Sequence, residues 1–517
     1  MLYRLQLLFL VAVFVIVSIT GITLPYVGFH AFNFNIYSQI AHNYNTFGLL
    51  ETKFAPVVSV TEGLPLKPEY YLHHPPLVSL VIALFFKLFG EHFWVGRLSV
   101  IVFSCGSMLF LYLIGVELKG KKFALLTLTV GTLLPASALF GRMIGQESLV
   151  LFFCVTSLYL LLRYLRSANK KYLYGLLLSI ALGVLSDWPM TYFVASLFPF
   201  LMVQKRLKLY WSMVLTAAGV ALAYLLYILL IQGSFSELTA AFFERSITAH
   251  DWYGWWFVRW MALLALRFVV YFNPVFVGLS AIACWMTVKH KLLFKFELPL
   301  LFSLGLFGLT HVMLYPSGSF GHPYWIYYFV PFVALSAAKA LCYFPKYIVL
   351  LVVIISVAYL FKIERWKTGE TRANVWRYEL AEKVSQKVPQ YERIGINSDS
   401  AMDFDVLTYK FQISTVQLKP QSLKNDLKFY AYSCPSTCDT TSEDLAYLLK
   451  KHSFEKSTAS QGEVYIFDLG SHATESAKAV VKSDMPNRLS KEVEISDTTM
   501  FQKMYAYLIN WLQAPQI

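Results

Sequence analysis

"LQLLFLVAVFVIVSITGITLPYVGFHAFNFNIYSQIAHNYNTFG", Leu5 to Gly48, sets an apolar run directly against an aromatic, amide-rich one. The first part, Leu5 to Val27, has 23 residues. As a helix it is about 35 Å long, enough to cross a hydrocarbon core of about 30 Å. A cleaved signal peptide is disfavoured, because no clear small-x-small site follows and more apolar runs do. The run reads as an uncleaved first span. The second part, Gly28 to Gly48, contains no acidic residue but holds His30 and His42. A plain connecting loop would need only to be polar, so this composition asks for another use.

The rest of the chain extends the first reading. Of 517 residues, 57% are hydrophobic, 17% aromatic and 15% charged, with a mean hydropathy of +0.53. A soluble domain carries about 25% charged residues, so the composition is that of a polytopic membrane protein. The net charge of +13 does not indicate nucleic acid, because the basic residues form short clusters between apolar runs. No P-loop, haem or dinucleotide motif occurs.

Apolar runs predict eleven spans, near 5–27, 97–118, 123–140, 146–162, 172–186, 188–203, 209–231, 260–288, 298–315, 324–344 and 347–361. Lys119, Lys121 and Lys122 follow the second. Arg163, Arg166, Lys170 and Lys171 follow the fourth. Lys205, Arg206 and Lys208 follow the sixth, Lys289, Lys291 and Lys295 the eighth, and Lys346 the tenth. Every second connection is thus basic, which places the N-terminus in the cytoplasm and segments 28–96, 141–147, 232–259 and 316–323 outside. Residues 69–96 are apolar but would invert every later basic loop if they spanned, so they are expected to lie along the interface.

Composition changes after Arg365. "RANVWRYELAEKVSQKVP" reads as an amphipathic helix, "RIGIN", "TVQL", "LKFYAYS" and "GEVYIFDL" as strands, and "SEDLAYLLKKH" as a helix with a Ser N-cap and basic end. The expected organisation is a transmembrane domain over 1–363, an external α/β domain over 364–470, and a polar tail with one late helix over 471–517. Cys434 and Cys438 in "CPSTC" are the only external cysteines, leaving a local disulfide or two free thiols open.

The residues able to do chemistry gather on the outer side. Asp is absent from the first 186 residues, and Asp187 in "LSDWPM" sits at a span end. A carboxylate there either faces a wet cavity or caps a helix. In "FGRMIGQESL", Arg142 offers a cation for phosphate and Glu147 a carboxylate for a proton; a structural salt bridge between them explains the pair equally well. "YYLHHPPL" supplies His73 and His74, whose adjacency is expected to point them apart. "SGSFGHPYW" supplies His322, with Tyr324 two residues on. Glu62, Glu69 and Asp251 are further external carboxylates.

The order of "IAHNYNTFG", "YYLHHPPL", "KLFGEHFWVGRLSVIVFS", "FGRMIGQESL" and "HPYWIYYFVPF" resembles the GT-C glycosyltransferases. The nearest branch is dolichyl-phosphate-mannose-protein mannosyltransferase-like and related to the aminoarabinose transferases. The likeness spans roughly the first 345 residues. It implies a polyprenyl-phosphate-linked sugar as donor, transfer on the outer or lumenal face with inversion, and a protein, lipid or glycan as acceptor. It also implies a catalytic Asp in the first outside loop. In "NFNIYSQIAH", Asn33 stands there, with Tyr37 four residues later and His42 in place of the usual Arg. Asn cannot be a general base, so His30, Asn33, Tyr37, His73, His74, Arg142, His322 and Tyr324 are read as substrate-binding. The base is sought among the other carboxylates, Glu147 first and Asp187 second. No cofactor is specified; a divalent metal stays open. A transporter fits the number of spans but lacks an inverted repeat, and a non-catalytic sugar-lipid binder fits the missing Asp.

Overall fold

The computed structural model describes residues 2–28, 30–246, 255–289, 297–397, 400, 402, 404–422, 427–472 and 508–509. Asp251, Lys291, Lys295 and nearly all of the tail fall outside them. Contacts divide the chain into two compact units, one of 1–22, 71–367 and 504–517, the other of 23–70 and 368–503.

The first unit is built of helices. Among the described residues six are long and apolar enough to cross a membrane, or seven if the bent pair Trp256–Phe272 and Pro274–Lys289 counts as one span. Eleven apolar runs yield fewer qualifying helices, and in three of them proline is the interruption. The third run breaks into Lys121–Leu133 and Pro135–Leu139. The sixth becomes Pro189–Ser196 and Phe198–Val203. The eighth turns by 106° at Asn273, which has φ 63°. Proline lacks an N–H and clashes with the preceding turn, so each break is local chemistry. Leu77–Phe89 is a 13-residue helix, about 20 Å long and too short to span.

Small residues set the closest helix contacts. A Cβ on Gly115 would stand 2.6 Å from the Ala124 Cα, where helices Phe93–Lys119 and Lys121–Leu133 pack. Buried hydroxyls pair across helices, as in Ser157 with Ser179 at 3.0 Å and Ser336 with Ser280 at 2.9 Å. Such close approach and polar pairing hold helices together where lipid removes the hydrophobic drive. The basic connections meet through Glu117, which takes Arg163 and Arg166 at 2.8 Å each, and Glu297, which takes Lys119 and Lys339 at 3.1 Å each.

The second unit carries a five-stranded sheet, order β2-β1-β3-β5-β4, from β1 (Arg393–Ile396), β2 (Ser414–Gln417), β3 (Phe429–Cys434), β4 (His452–Thr458) and β5 (Glu463–His472). β1 runs parallel to β2 and β3, while β5 is antiparallel to β3 and β4. Alternation sorts the side chains. Ala431, Val464 and Ile466 pack on one face with Leu380 and Val384. Tyr430, Tyr465 and Phe467 pack on the other with Leu445, Leu448 and Leu449 of helix Glu443–Lys451. Four strands and this helix match the sequence reading; β4 is additional. Cys434 and Cys438 form a disulfide.

The opening stretch is a helix, Ala31–Phe47, rather than a loop. Its amides tie this unit together. Gln39 and Gln412 exchange hydrogen bonds at 3.3 and 3.0 Å. Asn43 donates to the Val57 and Ser59 carbonyls at 2.9 and 3.0 Å, and Tyr44 to the Phe54 carbonyl at 2.9 Å. The helix lacks a continuous apolar stripe because polar contacts hold much of its buried side.

Candidate active site

Within the first unit, a cavity of about 390 Å³ is lined by His73, His74, Glu147, Asp187, Arg245 and His311, with an aromatic wall that includes Trp188, Tyr192, Tyr315, Trp325 and Tyr328. The histidines stand just ahead of Pro75, Pro76 and helix Leu77–Phe89. Side chains fasten this backbone. Trp188 Nε1 donates to the His73 carbonyl at 2.8 Å, and the Tyr224 hydroxyl bonds the Leu72 and His74 carbonyls at 2.8 Å each.

Contrary to the expectation that the two rings diverge, their centroids lie 4.5 Å apart. Their Nε2 atoms converge on one guanidinium: Arg245 Nη2 approaches His73 and Nη1 approaches His74, each at 3.2 Å. Guanidinium only donates, so both Nε2 atoms must accept. This assigns both rings as neutral, with the proton on Nδ1. His73 Nδ1 then donates to Glu237 Oε1, and His74 Nδ1 to Asp187 Oδ1, each at 2.7 Å. Glu237 Oε2 also accepts from the Leu72 amide at 3.2 Å. Two carboxylates thus fix two imidazoles, which together fix one arginine. Burial, with His74 and Arg245 alongside, holds His73 down at about 4. Burial alone would raise Glu237, but its bonds from His73 and Leu72 leave it below the usual carboxylate value.

Glu147 opens helix Gln146–Ser167 and is buried. Its Oε2 has no hydrogen-bond partner among the described residues, and the charges acting on it are Asp187 and Arg245. Arg142 is placed differently from the sequence expectation. It forms no pair with Glu147 and does not line this cavity; its Nη1 bonds Glu364 at 2.7 Å and the Thr20 carbonyl at 2.8 Å. His322 and Tyr324 lie outside the lining as well; the His322 ring is tilted against Tyr324 at 5.3 Å and stacked on Trp325 at 6.0 Å. His30, Asn33 and Tyr37 belong to the second unit.

Sequence reading thus reaches His73, His74, Glu147 and Asp187 of the lining and misses Arg245 and His311, as well as Glu237, which bonds His73 without lining the cavity itself. Glu237 and Arg245 lie in the half-exposed helix Ser236–Arg245, whose charges look like ordinary solvent-facing ones. Among the described residues, no cluster of three His, Cys, Asp or Glu side chains is arranged to hold a metal ion.

Residues 73–231 match the family model of dolichyl-phosphate-mannose-protein mannosyltransferases. No curated protein matches the sequence. The structure is similar to that of ArnT from Cupriavidus metallidurans bound to undecaprenyl phosphate, at 12% identity and a TM-score of 0.62, covering 89% of this chain and 97% of that one. The apo form of the same protein gives 13% identity and 0.62, covering 91% and 99%. The chain thus carries one segment that matches the mannosyltransferase family model and is similar in fold, over nearly its whole length, to ArnT.

Proposed function

We propose that the chain is a membrane glycosyltransferase that moves a sugar from a polyprenyl-phosphate donor to an acceptor hydroxyl, at the outer face of the membrane. The observation that carries this reading is the cavity whose lining brings together a pre-set guanidinium and two buried carboxylates. The undecaprenyl phosphate bound by the similar ArnT supports the donor class.

In this reading Arg245 receives the donor phosphate. Arginine stays charged and offers paired donors that match phosphate oxygens. His73 and His74 hold it in place without adding a charge of their own. Glu147 is the general base: its unpartnered oxygen takes the acceptor's proton as the acceptor oxygen attacks the anomeric carbon. The bond to the lipid phosphate breaks, and Arg245 stabilises the charge released there. Asp187 fixes the His74 tautomer and so acts through His74. The aromatic wall offers faces for the sugar ring.

The alternating basic connections support a cytoplasmic N-terminus, an external sheet unit and up to eleven crossings, counting broken helices as parts of spans. Incubating the purified chain with polyprenyl-phosphate sugars tests the function. Glu147→Gln is expected to lower turnover by about 10²–10⁴-fold while retaining donor binding. Arg245→Ala is expected to weaken donor binding itself. Normal transfer by both variants would remove this assignment.

A further inference from the structure

Helix Gln146–Ser167 carries Glu147 in its first turn and Arg166 in its last. At 1.5 Å per residue the two stand about 28 Å apart, close to the thickness of a hydrocarbon core. Around Arg166 the first unit has a second cavity, of about 480 Å³. Four stretches close it: the ends of helices Phe93–Lys119 and Gln146–Ser167, the start of Glu297–Leu314, and the turn between Phe198–Val203 and Leu207–Gln232.

Its charges do not balance. Glu117, whose side chain is 8% exposed, meets Arg163 and Arg166 at 2.8 Å each. Glu297 meets Lys119 and Lys339 at 3.1 Å each. Both carboxylates in the lining are thus answered twice within the protein, so the surplus is positive. Arg206 adds a fifth cation. It lines the cavity, is exposed, and its guanidinium makes no hydrogen bond or ion pair among the described residues.

The turn that presents Arg206 is strained. The Arg206 amide bonds the Leu201 carbonyl at 2.9 Å and the Lys205 amide bonds the Met202 carbonyl at 3.0 Å, the paired bonds that end a helix through a left-handed residue. Glycine usually fills that position, whereas here Lys205 does, at φ 56°. Two neighbouring cations therefore occupy a turn that glycine would close with less strain, and such strain persists where a turn has a use.

We infer that this cavity binds the phosphodiester headgroup of an anionic phospholipid, through Arg206 and the spare N–H groups of Arg166, with an acyl chain along Leu118, Leu162 and Leu165. A guanidinium offers a fork of donors that matches two phosphate oxygens. Arg166 gives two of its five N–H groups to Glu117 and remains 64% exposed. Gln204 also lines the cavity and offers a donor and an acceptor to headgroup hydroxyls. A cationic mouth set over leucines fits a lipid better than a soluble phosphoester, and basic pockets between spanning helices are where such headgroups sit. In the topology proposed above this end faces the cytoplasmic leaflet, which carries anionic lipids. The site lies at the other end of helix Gln146–Ser167 from the transfer cavity and does not depend on that activity.

Native mass spectrometry of the full chain, released from detergent containing dioleoyl phosphatidylglycerol, dioleoyl phosphatidylcholine or glycerol 3-phosphate, tests the inference. Phosphatidylglycerol is expected to bind at least about tenfold tighter than either of the others. Arg206→Gln should lower that affinity by about tenfold, whereas Lys121→Gln and Lys170→Gln, in basic connections but outside the lining, should leave it within about twofold. The Arg206 side chain makes no internal bond among the described residues, so its variant keeps the fold, with an unchanged melting temperature as the check. Equal binding of the two lipids, glycerol 3-phosphate binding as tightly as phosphatidylglycerol, or unchanged affinity in Arg206→Gln would overturn the inference. So would an equal loss in all three variants, which would leave only the diffuse field of the basic connections.

Discussion

His73 shows how much one side chain can carry when its partners leave it no choice of proton. Because Arg245 can only donate, the ring must keep Nε2 bare. Burial, with His74 and Arg245 alongside, makes the ring resist protonation down to about 4, whereas an unfolded histidine protonates near 6.5. Between those values the unfolded chain binds more protons than the folded one, so stability rises with pH. Glu237, held below its ordinary value, adds a term of the same sign at the acid end. Thermal melts in detergent should show the melting temperature falling as pH drops from 7 to 4.5. The fall should be smaller in His73→Gln, and a fall identical in that variant would place the sensitivity elsewhere. Arg142 teaches the converse. The sequence offers Glu147 five residues away, yet the structure pairs it with Glu364, which lies 222 positions distant. Local spacing is blind to such a partner. Arg142→Ala is accordingly expected to take this partner from Glu364, buried at 2% exposure, and to lower thermal stability. Lipid-phosphate affinity, measured on the fraction that remains folded, should stay near normal.

Among the helices, what was legible followed hydropathy and what was not followed backbone interruptions. Runs such as 97–118 and 209–231 correspond to single long helices, Phe93–Lys119 and Leu207–Gln232. Run 260–288 is two helices, because Pro274 and the left-handed Asn273 turn the chain inside an unbroken apolar stretch. Residues 31–47 were opaque for the opposite reason: hydrogen-bonded amides hide in a composition that reads as a loop. β4 was missed because "HSFEKST" follows a helix without a turn signal, and it pairs only with β5, which comes later. Close packing gives a direct test at this level. Gly115→Ala places a Cβ against the Ala124 backbone, which cannot rotate away. It should destabilise the helix pair by about 1–3 kcal/mol, measurable as a lower midpoint in detergent denaturation. Gly219→Ala, where a Cβ would meet nothing within 4 Å, should be neutral and serves as the control.

For the whole molecule, the pattern of basic connections predicts that a cysteine introduced in 370–470 is labelled by an impermeant reagent in intact cells, and that one at Lys121 is labelled only after permeabilisation. The reverse pattern would invert the topology. Within the second unit, Gln39 and Gln412 bond each other across 373 positions of chain. That separation has a consequence in time. At a synthesis rate of about 5–20 residues per second, roughly 20–75 s pass between the making of the first glutamine and the arrival of its partner. Throughout that interval residues 31–47 lack the amide partner they will finally share. A nascent chain halted after Lys367 should therefore be cut by added protease within 31–47, while the finished chain resists. Cellular quality control thus has a window, set by the ribosome's pace, in which this segment is exposed to it.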